Sequence, residues 1–359
     1  MTRLSGKQVR GREPIIIIPN YPMGVQVMSV FVGIDIAAKS VDVVARSNNK
    51  SSVVKRYEQT PQGHKKLADS LLKLQPTCVV MEATGIYYLN LAIVLHDAGI
   101  NLSVINPKSF NHFAKLTLTN SKTDDIDAAL LAEYAQRMTP KMWKRPSKDR
   151  LQLRDISRQI NRLTHGCTKS KNRLHALLAY KDTNIIIIED EREGIEQLTK
   201  RIKRLHQLAL DVINADEFLK QKMENLTTAK GIGPVSAVTI LGELMVLPDT
   251  LKANQVSRFA GLDVRLNQSG TSLNKPGRLS KAGNAYLRTA LFMPALSALQ
   301  HDPNVKAFHD ALVARGKKKI QAVCAVMRKY LTGIWPCLQS NTHFDSSKLF
   351  SEIHKQACV

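Results

Sequence analysis

The sequence predicts a mixed α/β sheet domain with helices on its faces, then a helical hairpin, then a mainly helical region. Three observations carry this. Between Ser29 and Lys144, short β-branched runs alternate with helical patterns. Between Arg145 and Leu226, apolar residues recur at Ile195, Leu198, Ile202, Leu205 and Leu208, the spacing of a helical or coiled-coil seam. From Thr227, Gly and Pro return in TAKGIGPVSAVTI and open a third region reaching about residue 338. A length of 359 residues suits more than one domain.

FVGIDIAAKSVDVVARSNN reads as a strand hairpin ending in turn-prone Ser-Asn-Asn, and VVKRYEQT as a third strand. PQGHKKLADSLLKL is an amphipathic helix, CVVMEATG a short buried strand, YYLNLAIVLHDAG a helix ending at Gly99, and NLSVINP a further strand. A longer helical stretch carries KTDDIDAALLAEYA. In the hairpin region NIIIIEDERE interrupts the seam, which predicts two long helices. Residues 1–28, with their isoleucine run broken by Pro19 and Pro22, read as a disordered extension rather than a signal peptide. Residues 339–359 read as a loosely ordered tail.

Lys and Arg number 52 against 30 acids, a net charge of +22 that calls for a polyanion. Nucleic acid is favoured over a membrane, because no apolar run reaches the roughly 18 residues of a spanning helix. The five cysteines follow no metal-binding or disulfide spacing, which points to a reducing cytoplasm.

Four acids stand out. Asp35 lies in a strand of the first hairpin and Glu82 ends the CVVME strand. Asp124 and Asp127, three apart on a helix, share one face. Each has a plain structural reading. Asp35 could cap a turn or belong to a phosphate hairpin of an actin-like ATPase, Glu82 could form an ion pair, and Asp124 and Asp127 could be helix-start acids. Jointly, buried carboxylates from separate elements repel unless a hard divalent cation collects them, as in a two-metal phosphodiester-transfer site.

Arg150, Arg154, Arg158 and Arg162 recur every fourth residue, with Lys169 and Arg173 beyond. Like charges stacked in this way destabilise a lone helix, so phosphate contact is favoured over a merely solvated face. KGIGPVS resembles a helix-hairpin-helix in which Gly231 and Gly233 would let backbone N–H groups approach a phosphate; a plain Gly-Pro turn is the alternative. A Gly-rich polar stretch ahead of a helix gathers Ser269, Ser280, Lys275, Arg278, Lys281 and Arg288. Serines there are ordinarily turn residues.

GIDIAAKSVDV, MEATG, KTDDIDA, KGIGPVSA and FAGLDVRLNQSG…SKAGNAYLRTAL occur in the order seen in DEDD-type insertion-sequence transposases. The chain thus resembles the insertion-sequence-110 family, relatives of Piv-type DNA invertases, over about residues 29–337. The resemblance implies a RuvC-like (RNase H-like) domain over residues 29–144, a coiled-coil linker over 145–226 and a transposase domain over 227–338. Its metal-binding acids map onto Asp35, Glu82, Asp124 and Asp127, and its nucleophilic serine onto Ser269, with Ser280 the competing assignment. It also implies a bridge RNA, DNA as substrate, and a homo-oligomer, dimer or tetramer, with composite active sites.

The expected reaction is Mg²⁺-dependent strand exchange through a phosphoserine, with two ions and no nucleotide cofactor. Lys317, Lys318 and Lys319 would add phosphate contacts. The setting would be bacterial or archaeal cytoplasm, at the nucleoid. A Holliday-junction-type metal-dependent nuclease and a non-catalytic nucleic-acid-binding regulator are the rival readings.

Overall fold

The computed structural model describes residues 29–83, 85–117, 124–269 and 273–349; the side chains of 124, 125, 267–269 and 273–276 are outside that description. The expectations for residues 1–28 and 350–359 fall outside it too. Two units divide the chain, Met1–Arg145 and Pro146–Val359.

In the first unit, β1 (Phe31–Ile36) and β2 (Ser40–Ser47) pair antiparallel, followed by β3 (Lys50–Ser51) and β4 (Lys55–Glu58), which both pair with β2. Helix α1 (Pro61–Leu74) begins where Thr60 accepts the Gly63 N–H and Pro61 needs no hydrogen bond. Strand β5 (Cys78–Glu82) lies parallel to β1; after α2 (Tyr87–Asp97), β6 (Leu102–Ile105) lies parallel to β5. Helices α3 (Pro107–Leu116) and α4 (Asp124–Met138) follow. The order β3-β2-β1-β5-β6, antiparallel at one side and parallel at the other, is the expected mixed sheet.

Both faces of the central strands are covered, which is why they read as near-continuous apolar runs. Val32, Ile34, Val79, Met81 and Leu102 join Leu67 and Leu71 of α1 and Leu91 and Leu95 of α2. On the other face, Cys78, Val80 and Ile105 meet Phe110 and Phe113 of α3 and Leu130 and Leu131 of α4. Burial pushes the Cys78 thiol up to about 11, so it packs as an inert apolar group.

The second unit opens with α5 (Lys148–Ala179), capped by Ser147, and α6 (Ile185–Ala215), capped by Asn184. Asp216 closes α6 and caps α7 (Glu217–Thr227). Helices α8 (Pro234–Leu244) and α9 (Ala253–Phe259) precede a hairpin of β7 (Val264–Ser269) and β8 (Leu273–Leu279). Helices α10 (Ala285–His301), α11 (Pro303–Ala314) and α12 (Lys319–Ser340) complete it. Buried Tyr330 and Trp335 of α12 donate to the carbonyls of Lys230 and Leu251, 2.8 and 2.7 Å away, anchoring α12 in the core.

Three expectations change. The isoleucine run is not a break between helices but the first turn of α6, because Asn184 accepts the Ile186 N–H and starts the helix there. The polar stretch around Ser269 is a two-stranded hairpin. The tail is ordered through residue 349: Lys329 donates to the Leu349 carbonyl at 2.6 Å, and a short 3₁₀ turn, Ser346–Leu349, packs beside α12.

Candidate active site and nucleic-acid interface

Strand register brings two of the four acids together. β1 and β5 pair Gly33 with Val80 and Ile34 with Met81, so one more step sets Asp35 beside Glu82. Neighbours at one level of a sheet point to the same face, and this level belongs with Phe31, Gly33, Cys78 and Val80 on the α4 side. Both acids are half-buried.

Gly33 sets how near α4 comes. A Cβ there would stand 2.1 Å from the Ala128 carbonyl oxygen, 2.4 Å from the Ala132 nitrogen and 2.8 Å from the Leu131 Cβ. Only hydrogen fits. Asp127 immediately precedes Ala128 and lies four residues before the buried Leu131, hence on the flank that α4 turns to β1. Asp124 is one turn earlier, at the first residue of α4, and its side chain is outside the described residues. Short Ala128, Ala132 and Ala135 make the close approach possible. Arg46 of β2 reaches Glu133 at 3.7 Å and Gln136 at 2.9 Å, tying α4 to the sheet.

Sequence reasoning missed Asp42. It pairs with Asp35 across the hairpin, is 3% exposed, and accepts a fork of two hydrogen bonds from Arg56 of β4 at 2.7 and 2.8 Å. The signal was available: Asp35 and Asp42 sit symmetrically about the AAKS turn, so an antiparallel hairpin must place them opposite each other.

Among the described residues, no group of three or more His, Cys, Asp and Glu side chains is arranged to hold a metal ion. The acids of the face described above, Asp35, Glu82 and Asp127, would offer carboxylate oxygens, donors suited to a hard cation such as Mg²⁺.

In the second unit the β7–β8 hairpin carries Ser269 at its far end, opposite Leu273; the serine's side chain, like that of Lys275, is outside the described residues. Ser280 sits at the other end. Its hydroxyl donates to the Asp263 carboxylate and its N–H to the Asp263 carbonyl at 2.8 Å, so it joins the two chain segments at the hairpin's base. Arg288 donates to the Ala260 carbonyl at 2.7 Å, while Arg278 and Lys281 are exposed.

The arginine stripe divides. Arg158 forks onto the fully buried Glu243 at 2.6 and 2.8 Å, and that carboxylate also accepts from Asn284, the cap of α10. These bonds hold the Arg158 guanidinium above its ordinary pKa. Arg154 is 9% exposed and bonds Asp155, and Arg150 lies 4.4 Å over the Phe218 ring. Arg162, Lys169 and Arg173 are exposed, Arg173 bridging to Glu191 at 3.0 Å.

Residues 228–233 join α7 to α8. Gly231 there has φ +93°, and a Cβ would meet the Pro294 carbonyl at 2.5 Å, so it serves close packing on α10. Gly233 is exposed at the α8 start. Among the described residues, no helix is long and apolar enough to cross a membrane.

Two family models match, one described as a transposase over residues 32–180 and one described as the transposase IS116/IS110/IS902 family over 223–310. The pilin gene-inverting protein of Moraxella bovis is 30% identical over 272 residues, covering 74% of this chain and 81% of that protein. The chain belongs to this transposase family. The transposase is also 26% identical over 264 residues to the transposase for insertion sequence element IS1111A of Coxiella burnetii, covering 66% of this chain and 69% of the relative. A solved structure of Thermus thermophilus RuvC matches with a TM-score of 0.24 and 13% identity, covering 32% of this chain and 98% of that one. That superposition carries no argument; the first unit is a mixed α/β sheet domain by its own strand order, within the span of the first family match. The protein is therefore a DNA transposase or recombinase.

Proposed function

We propose that this transposase exchanges DNA strands in a Mg²⁺-dependent reaction through a phosphoserine at Ser269, guided by a structured noncoding RNA. One observation carries the reading: Asp35 and Glu82 share a sheet level, on the face where Gly33 lets α4 bring the Asp127 end close. With Asp124 they would hold the metal, which when bound stabilises negative charge on the phosphate oxygens.

The Ser269 hydroxyl attacks phosphorus. The Oγ–P bond forms, the bond to the 3′ oxygen breaks, and the serine proton passes through solvent to that oxygen. A 3′-hydroxyl from the other strand reverses the step and regenerates serine. No water is consumed, so the energy of the phosphodiester is conserved without a nucleotide cofactor. Residues 29–144 would be the acid-bearing domain, 145–226 the linker and 227–338 the serine-bearing domain, in a homo-oligomer acting at the nucleoid in the cytoplasm. Exposed Arg162 and Lys169, with Lys318 and Lys319, would hold phosphates.

Ser269→Ala should abolish exchange while DNA retention stays within about twofold, and wild-type protein quenched in denaturant should carry DNA covalently. Robust exchange by Ser269→Ala would end the serine assignment. Cleavage without an adduct would mark a hydrolytic nuclease. Asp35→Asn should remove exchange at every Mg²⁺ concentration, and ribonuclease treatment should remove it if RNA guides the reaction.

A further inference from the structure

Two exposed surfaces of the second unit are used by nothing described so far. The first is the tip of the α5–α6 hairpin, where Leu178, Tyr180, Ile185, Ile186 and Ile187 are 51–68% exposed. Five large apolar side chains together on a surface are unusual for a monomer. The α6 side of the tip is also acidic: residues 178–196 hold six acids (Asp182, Glu189, Asp190, Glu191, Glu193 and Glu196) against Lys181 and Arg192, with Glu191 bridged to Arg173 of α5, in a chain whose net charge is +22.

The second is a groove of about 760 Å³ between the β7–β8 hairpin and α12. Its walls are apolar, and Val264, Leu266 and Ile320 are 49%, 68% and 53% exposed. Among the described residues, its charged lining residues are Arg278, Lys281, Lys317 and Arg328. One surface is an apolar knob with negative charge, the other an apolar hole with positive charge.

The knob cannot fill the hole of its own chain. Asn161 still bonds Thr239 of α8, but α5 runs on to Ala179, about 27 Å further at 1.5 Å per residue. We infer that the hairpin tip of one copy docks in the groove beside β7–β8 of a second copy, apolar side chains inward and Glu189, Asp190 and Glu193 against the groove's cations. The two surfaces differ, so a two-fold pair closes through two such contacts. The occupant places acids beside the hairpin bearing Ser269 while occupying cations that would otherwise attract phosphate. This gives a surface to the homo-oligomer of the proposed function, yet it is independent of the serine chemistry, because sedimentation reads it without strand exchange.

The test is sedimentation velocity of the full chain, stripped of nucleic acid with nuclease. A reversed knob, Glu189→Lys with Glu193→Lys, and a reversed groove, Lys317→Glu with Arg328→Glu, should each weaken self-association at least about tenfold. Mixing the two variants should restore it, since both contacts of the mixed pair again join opposite charges. Ile186→Asp and Leu266→Asp, at exposed positions that leave the fold intact, should weaken it likewise. A monomeric wild-type chain, wild-type association of these variants, or a mixture that stays apart would overturn the inference. So would a reversed groove that associates normally but retains less DNA or RNA, which would make the groove a nucleic-acid site.

Discussion

Replacing Gly33 by alanine tests whether the sheet and α4 build one site. The added methyl would stand 2.1 Å from the Ala128 carbonyl oxygen, whereas ordinary contact begins at 3.4 Å, so α4 must retreat by about 1.3 Å. Backbone atoms of a buried helix cannot swing aside as a side-chain tip can, so the whole element moves or the strand bends. Overpacking of this kind costs about 1–3 kcal/mol. That lowers the melting temperature by roughly 4 °C per kcal/mol in a domain of this size. The catalytic effect should be larger than the thermal one. Asp124 and Asp127 ride on α4 while Asp35 and Glu82 stay in the sheet, and a displacement of about 1 Å between catalytic groups can cost about a hundredfold in rate. The assay is strand exchange on a supercoiled substrate beside DNA retention and thermal melting. Exchange should fall about a hundredfold, retention should hold, and Mg²⁺ should be needed at higher concentration. Gly33→Ala with wild-type exchange and melting would refute the claim that this glycine positions α4 for chemistry.

Glu243→Gln leaves the Arg158 guanidinium without its carboxylate, and urea melting should report a loss of about 3 kcal/mol, at the low end for a buried pair because Arg158 is 30% exposed. Adding Arg158→Met should recover part of it, since the pair is then replaced by apolar packing. Burial holds His64 and His206 below the ordinary imidazole value of 6.5, so the unfolded chain takes up protons first as the pH falls. Stability should therefore drop from pH 6.5 downward until the lowered values are passed and stay flat above it; His206→Gln should make the acid-side slope in pH-dependent melting shallower.

The sheet was legible because its sequence pattern is local. Val32, Ile34, Val79 and Met81 alternate with residues of the opposite face, and Asp35 and Glu82 stand out as charges at the ends of apolar runs. The second hairpin was not legible, because β8 contains Pro276 and Gly277, residues that normally argue against a strand, and it survives as one of only two strands. Asn184 held the answer to the isoleucine run, whose interruption of the seam suggested a break while the cap before it marked a helix start. The partner of Arg158 lies 85 residues away, a distance at which charge periodicity says nothing.

That pairing has a consequence for counterions. Each DNA phosphate neutralised by the protein releases about 0.9 of a condensed cation, so the slope of log affinity against log salt counts the charges that face outward. Arg154 and Arg158 are already satisfied by Asp155 and Glu243, so on the proposed reading the helix would show DNA about two fewer charges than its four-arginine spacing advertises. What remains of its basic character lies around Arg162 and Lys169, since Arg173 too is bridged, to Glu191.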